Sequence, residues 1–202
     1  MRCLLEAHQA TFTRAGEAVF EPVDLTLPGG QALIVRGVNG AGKTTLLRLL
    51  AGILRPATGE VIRHAPVAFL GHHAAVKGDL SCRENLNFRR RFAAAASGLE
   101  PAHALARVGL AGLGLRPARS LSAGQRRRLG LAALLVAPAA VWLLDEPYAS
   151  LDDEGCGLVD ELLAEHLGHD GSAVLSTHQR QPQIGGRRQE SMVVEPHRRR
   201  AA

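Results

Sequence analysis

The chain is 202 residues long, 46% hydrophobic and 21% charged, which suits one globular domain with a buried core. Its net charge is +5, but much of the excess lies in "FRRRF" and in the C-terminal "GRR" and "HRRR", and aromatics are only 3%. That distribution reads as a solvated face or membrane proximity, leaves no stacking surface for single strands, and argues against a nucleic-acid partner.

In chain order, "EAVFEPVDLTL" alternates short apolar and polar segments and breaks at "LPGG", the pattern of antiparallel strands. "ALIVRG" is a short apolar strand. A glycine-rich turn follows, then "KTTLLRLLAGIL" with leucines at helical spacing, closed by Pro56 and Gly59. "EVIR" and "VAFLG" read as two more strands. From about Ala74 to Ala133 the apolar residues recur at helical spacing, a helical insert. The longest apolar run, 129–144, is cut by Pro138. It is too short and broken for a membrane span, and reads as a helix end, a turn and a buried strand. "AVWLLDEP" and "SAVLSTH" restore strand character, and "SMVV" is a final strand before a basic, frayed tail.

Strands alternating with helices predict an α/β fold with a parallel sheet covered on both faces. The expected divisions are a core of about 1–73 and 134–195, a helical subdomain of about 74–133, and a tail of about 196–202, within one domain. "MRCLLEAHQA" has no apolar signal segment, so the chain is expected to stay inside the cell. Cys3, Cys82 and Cys156 are scattered, odd in number and lack CxxC spacing, so they read as reduced structural thiols.

"GVNGAGKTT" fits GxxxxGK[ST] between a strand and a helix, the P-loop. Its glycines let backbone N–H groups converge on phosphate oxygens, and the following helix presents its positive end. Gly37, Val38, Asn39, Gly40, Ala41, Gly42, Lys43, Thr44 and Thr45 are therefore expected to wrap a nucleotide phosphate. Lys43 reaches the β- and γ-phosphates, and the Thr44 hydroxyl ligates Mg²⁺. "VWLLDE" is an apolar strand ending in two carboxylates. Asp145 is expected at the metal, and Glu146 is placed to orient and deprotonate the attacking water. His178, at the end of "LSTH", is placed to bond the γ-phosphate and that water.

"LSAGQRRRLG" is a second candidate anion site, a helix start with small residues. Taken alone it reads as an N-capped surface helix.

The order P-loop, helical insert, "LSAGQ", "LLDEP", "SLD", "STH" resembles the ATP-binding cassette family, the ATPase subunits of ABC transporters, up to about Gln179. The resemblance implies a P-loop NTPase (RecA-like) core with an N-terminal antiparallel β subdomain and an inserted α-helical subdomain. ATP and Mg²⁺ are the implied cofactors. It also implies a head-to-tail, ATP-dependent dimer. Ser122, Gly124 and Gln125 of one copy would meet the nucleotide held by Lys43 of the other, and Asp152 would link the two sites. The family glutamine after "VAFLG" is replaced by His72, whose imidazole would ligate the metal or bond a water. The adenine-stacking aromatic is not fixed: the register puts either Phe12 or Arg14 at its place.

Within the family, "LGHH", "VKGDLSCRENL" and "STHQ" resemble the branch of ATPase subunits in bacterial cytochrome c maturation. That branch implies integral membrane transporter subunits as partners, docked near residues 74–95, on the cytoplasmic face of the inner membrane. It also implies haem pathway proteins as indirect partners, with ATP hydrolysis driving haem export or release of a haem-loaded chaperone. The alternative is the motor of another small-solute or lipid exporter. A soluble non-transport cassette fits less well, since the chain has one cassette and no heptad run.

Overall fold

A computed structural model describes residues 2–72, 76–93, 97–178 and 180–197. Its centre is a five-stranded sheet in the order β10-β5-β9-β8-β7. The strands are β5 (Gln31–Arg36), β7 (Val67–Leu70), β8 (Val141–Asp145), β9 (Ser172–Ser176) and β10 (Arg188–Val193), and every pairing is parallel. All five residues of β8 and of β9 are buried, as expected of parallel strands covered on both faces.

Alternation along the strands divides the interior into two cores. Leu33, Val35, Val141, Leu143 and Val174 face one way, onto helix α1 (Lys43–Leu50) and a second, antiparallel sheet. That sheet is ordered β4-β1-β6, from β1 (Cys3–Thr11), β4 (Val23–Pro28) and β6 (Thr58–Arg63). A two-residue hairpin pair, β2 (Thr13–Arg14) and β3 (Glu17–Ala18), lies between β1 and β4 in the chain. Ala32, Ile34, Trp142, Leu144, Ala173 and Leu175 face the other way. There they pack with residues of α2 (Cys82–Phe92), α3 (Pro101–Arg107), α4 (Ala123–Val136) and α5 (Asp153–Gly168).

The helix after the P-loop is shorter than its leucine spacing predicts. It ends at Leu50, because Gly52 takes a left-handed φ of 75° and Arg63 reaches in from β6. The Arg63 guanidinium donates to the Leu49 and Leu50 carbonyls at 2.6 and 2.7 Å, supplying partners that the helix end lacks. Pro56 follows in the link to β6, and Gly59 lies within that strand. The run 129–144 behaves as its proline implies: α4 stops at Val136 and β8 starts at Val141. The first three residues of "SMVV" end β10, at the sheet edge beside β5, and Val194 follows the strand. The tail 198–202, His73 to Ala75, Ala94 to Ala96 and Gln179 lie outside the described residues. Among the described residues no helix is long and apolar enough to cross a membrane.

Parallel pairing fixes the site. Leu70 pairs with Leu144, Asp145 with Ser176, and Ser176 with Val35. The loops leaving β5, β7, β8 and β9 therefore emerge at one sheet edge, carrying the P-loop, His72, Glu146 and His178 respectively. Ligands bind in open α/β sheets at this carboxyl edge.

Candidate functional site

The P-loop turns into α1 through Gly42, the N-cap residue, whose φ of 97° is one that side-chain-bearing residues rarely adopt. Among the described residues no side chain caps this helix, so its first N–H groups remain available to an anion. Lys43 is buried and folds back over the loop, donating from Nζ to the Gly37 carbonyl at 2.8 Å and the Val38 carbonyl at 3.0 Å. Burial lowers its pKa, and the charges of Glu146 and Asp145 oppose that shift.

Asp145 is buried and doubly anchored. Thr44 Oγ1 donates to its Oδ2 at 2.8 Å, and Ser176 Oγ donates to Oδ1 at 2.7 Å. A hydroxyl and a carboxylate in contact at the start of a P-loop helix are the hard oxygen donors that Mg²⁺ takes, so the residues fit that ion. Ser176 was not singled out from the sequence; its signal is the serine two positions before His178.

Glu146 follows at a left-handed φ of 51°, an uncommon conformation for a residue other than glycine. Its amide donates to the carbonyl and hydroxyl oxygens of Ser176, at 3.1 and 3.2 Å. Its Oε1 lies 3.3 Å from His178 Nε2 without hydrogen-bond alignment. That oxygen is buried and, among the described residues, accepts no hydrogen bond. A buried acceptor left open beside an imidazole suits a water or hydroxyl that enters with a ligand.

These groups line one cavity of about 460 Å³, shared by Asn39, Gly40, Gly42, Lys43, Thr44, Thr45, His72, Asp145, Glu146 and His178. Two other predicted residues of the motif stand outside it: Val38 is exposed and Ala41 is buried in the core. Gly37 takes part through its carbonyl. Arg14, Val19 and Arg48 complete the lining. Of the two residues left open for the nucleobase, Arg14 borders the cavity, while Phe12 packs against the core under the antiparallel sheet.

Ser122, Gly124, Gln125 and Asp152 are not in that cavity. They line a second depression of about 540 Å³, with Arg128 and Ser150. Ser122 and Gln125 form a capping box: Ser122 Oγ accepts from the Gln125 amide at 3.1 Å, and Gln125 Oε1 accepts from the Ser122 amide at 3.0 Å. Ser122 remains exposed. A Cβ at Gly124 would fall 2.8 Å from the Ser150 carbonyl oxygen, so only glycine lets α4 start this close to the loop before α5. Asp152 caps α5, accepting from the Gly155 amide at 2.8 Å, and pairs with Arg128 at 3.1 Å. The Gly155 amide, then Arg128, hold its pKa below the ordinary value.

Arg127 connects the two regions, and sequence reasoning passed over it. Of the three arginines in "QRRRL", Arg127 is the buried one, 4% exposed. Its guanidinium donates to the carbonyls of Gly71 (2.7 Å), Asp145 (2.6 Å), Glu146 (2.5 Å), Pro147 (3.2 Å) and His72 (3.4 Å). One side chain of α4 thus fixes the backbone after β7 and after β8. Desolvation pushes its pKa down to about 10, so it stays charged at neutral pH.

Residues 20–149 match the ABC transporter family, and the chain belongs to that family of ATP-binding ATPases. It is 47% identical over 185 residues, 87% of this chain and 86% of the relative, to the cytochrome c biogenesis ATP-binding export protein CcmA of Xanthomonas campestris pv. campestris. It is 44% identical over 195 residues, 90% of this chain and 92% of the relative, to CcmA 2 of Cupriavidus metallidurans. The fold matches that of an ATP-binding cassette solved as a post-hydrolysis dimer with ADP and Pi, at a TM-score of 0.82 and 20% identity. That match covers 95% of this chain and 94% of the other.

Proposed function

We propose that this chain is the ATP-hydrolysing motor of a bacterial inner-membrane complex for haem export or release of holo-haem chaperone in c-type cytochrome maturation, acting on its cytoplasmic face. The observation that carries the reading is one cavity holding the P-loop, both carboxylates and His178, in a chain up to 47% identical to proteins named for cytochrome c biogenesis export.

Lys43 exchanges its two loop carbonyls for β- and γ-phosphate oxygens. Thr44 and Asp145 hold Mg²⁺, which when bound screens phosphate charge, and His72 lies at the same cavity to reach the ion or its water. The buried, open Oε1 of Glu146 takes the proton of the attacking water, and His178 holds that water against the γ-phosphate. The depression at Ser122, Gly124, Gln125 and Asp152 shares no lining residue with Lys43's cavity. It serves the nucleotide of a second copy packed head to tail, so that ATP closes the dimer. In this division of labour the helical part around α2 and the start of α4 carries the signature and meets the membrane subunits.

An apolar groove of about 250 Å³ supports that contact. Phe69, Leu86, Phe88, Phe92 and Ala133 line it, beside the loop that carries His72. Phe88 and Phe92 are exposed and stacked at 6.2 Å, and Lys77 Nζ sits 4.0 Å over the Phe88 ring.

The test is covalent haem in the host's periplasmic c-type cytochromes after the genomic copy is changed to Lys43→Ala. Loss of that haem, with other haem proteins unaffected, is the expected result. Unchanged c-type cytochromes would overturn the maturation role and leave the motor to another exporter.

A further inference from the structure

A cluster of metal-ligating side chains lies in the antiparallel sheet, among residues that do not line the nucleotide cavity. Cys3 Sγ, a carboxylate oxygen of Glu6 and a ring nitrogen of His64 all lie within 4.8 Å of one another. His64 Nε2 is 3.1 Å from Glu6 Oε1, and His8 Nε2 is 2.9 Å from Glu6 Oε2. The Cys3 thiol itself donates to the Leu5 and Leu27 carbonyls, at 3.6 and 3.8 Å. One carboxylate thus lies beside a thiol and two imidazoles.

Backbone pairing brings them together. His64 follows β6, and its amide donates to the Leu4 carbonyl at 3.0 Å, which sets it beside the first turn of the pleat in β1. Cys3 and Glu6 are three apart, and in a regular strand they would point to opposite faces. The β1–β4 register shifts between Cys3 and Leu5, and both Leu4 and Leu5 turn inward. This bulge leaves Cys3 and Glu6 on the same, outer side.

We propose that Cys3, Glu6 and His64 form a binding site for a borderline divalent cation of the Zn²⁺ class, with His8 holding the second oxygen of Glu6. The chemistry selects the ion. Sulfur, imidazole nitrogen and a carboxylate oxygen are the zinc donor set, whereas Mg²⁺ and Ca²⁺ take oxygen alone. A thiolate and a carboxylate neutralise the 2+ charge, and three protein ligands leave one tetrahedral position for water. Binding replaces protons: the Cys3 thiol loses its proton to solvent, and the neutral His64 ring takes the Nδ1–H tautomer, its Nε2 proton exchanging through solvent, so that Nε2 offers a lone pair. The hydrogen bond from His8 orients the ligating carboxylate, the usual role of an outer-shell partner. The bound ion ties the start of β1 to the end of β6.

Co²⁺ is the probe, added to the reduced full chain without nucleotide or Mg²⁺. The expected result is one equivalent bound, with a thiolate-to-cobalt charge-transfer band and tetrahedral visible bands that one equivalent of Zn²⁺ abolishes. Cys3→Ser removes the charge-transfer band, and His64→Ala weakens binding by about tenfold or more. Cys156→Ser keeps the band, and all three variants keep the ATPase rate in Mg-ATP. His64 is exposed, so His64→Ala tests the site even if Cys3→Ser folds poorly. A band that survives Cys3→Ser, or cobalt affinity equal in wild type and His64→Ala, overturns the proposal and leaves a surface ion-pair cluster.

Discussion

Arg127→Met should lower stability and loosen both halves of the nucleotide cavity. Arg127 is 4% exposed, and its guanidinium has five backbone carbonyls as partners and, among the described residues, no paired carboxylate. Methionine keeps the stem's apolar packing and removes every donor. The Glu146 carbonyl would keep a partner, the Ala149 amide at 3.1 Å, and the His72 contact is long. The remaining three, of Gly71, Asp145 and Pro147, lose this donor, at about 1–3 kcal/mol each. Relief of the guanidinium's own desolvation offsets part of this, so the net loss is about 2–4 kcal/mol. For a domain of this size that lowers Tm by roughly 4–16 °C. Calorimetry of Arg127→Met against Arg126→Met checks it. Arg126 is exposed and, among the described residues, donates only to the Leu121 carbonyl, so its variant should melt close to wild type. ATP turnover of Arg127→Met should fall even well below its Tm, because the loops carrying His72 and Glu146 lose their common anchor. An Arg127→Met protein melting within about 2 °C of wild type would refute the reasoning.

Glu146→Gln should bind ATP, hold the closed dimer and turn over roughly 10²–10⁴-fold more slowly in a steady-state phosphate assay; equal turnover would remove Glu146 from the base's role. Ser122→Arg should abolish turnover while nucleotide binding to the isolated chain, read by equilibrium titration, stays near wild type; a matching loss of binding would contradict a site split between two copies. His166 stacks on Trp142 at 3.9 Å and 5°, and burial pushes its pKa down from 6.5 to about 4. The folded state therefore resists a proton that the unfolded chain accepts. The stabilisation is complete above about pH 6.5 and is lost as pH falls toward 4, by about 3 kcal/mol in total. Denaturant titrations should show that slope in wild type and a flatter one in His166→Phe over the same window.

The chemistry of the main site was legible because its parts are contiguous. "GVNGAGKTT" and "VWLLDE" each carry their strand context with them, and a parallel sheet has only one edge at which such strands can deliver ligands. The sequence also determined the α/β plan of a sheet covered on both faces, since unbroken apolar strands such as "VWLLD" require that cover. Other features depend on where the chain turns in space. Three consecutive arginines look alike in the sequence, and only the approach of α4 to the backbone leaving β7 and β8 buries the middle one. α1 ends earlier than its leucine spacing predicts because Arg63, from a strand beyond the helix, shares with Gly52 the work of stopping it. Scattered spacing made Cys3 read as an isolated structural thiol. Tertiary structure alone set it beside Glu6 and His64, because a bulge reverses side-chain parity and strand pairing joins residues far apart in the chain.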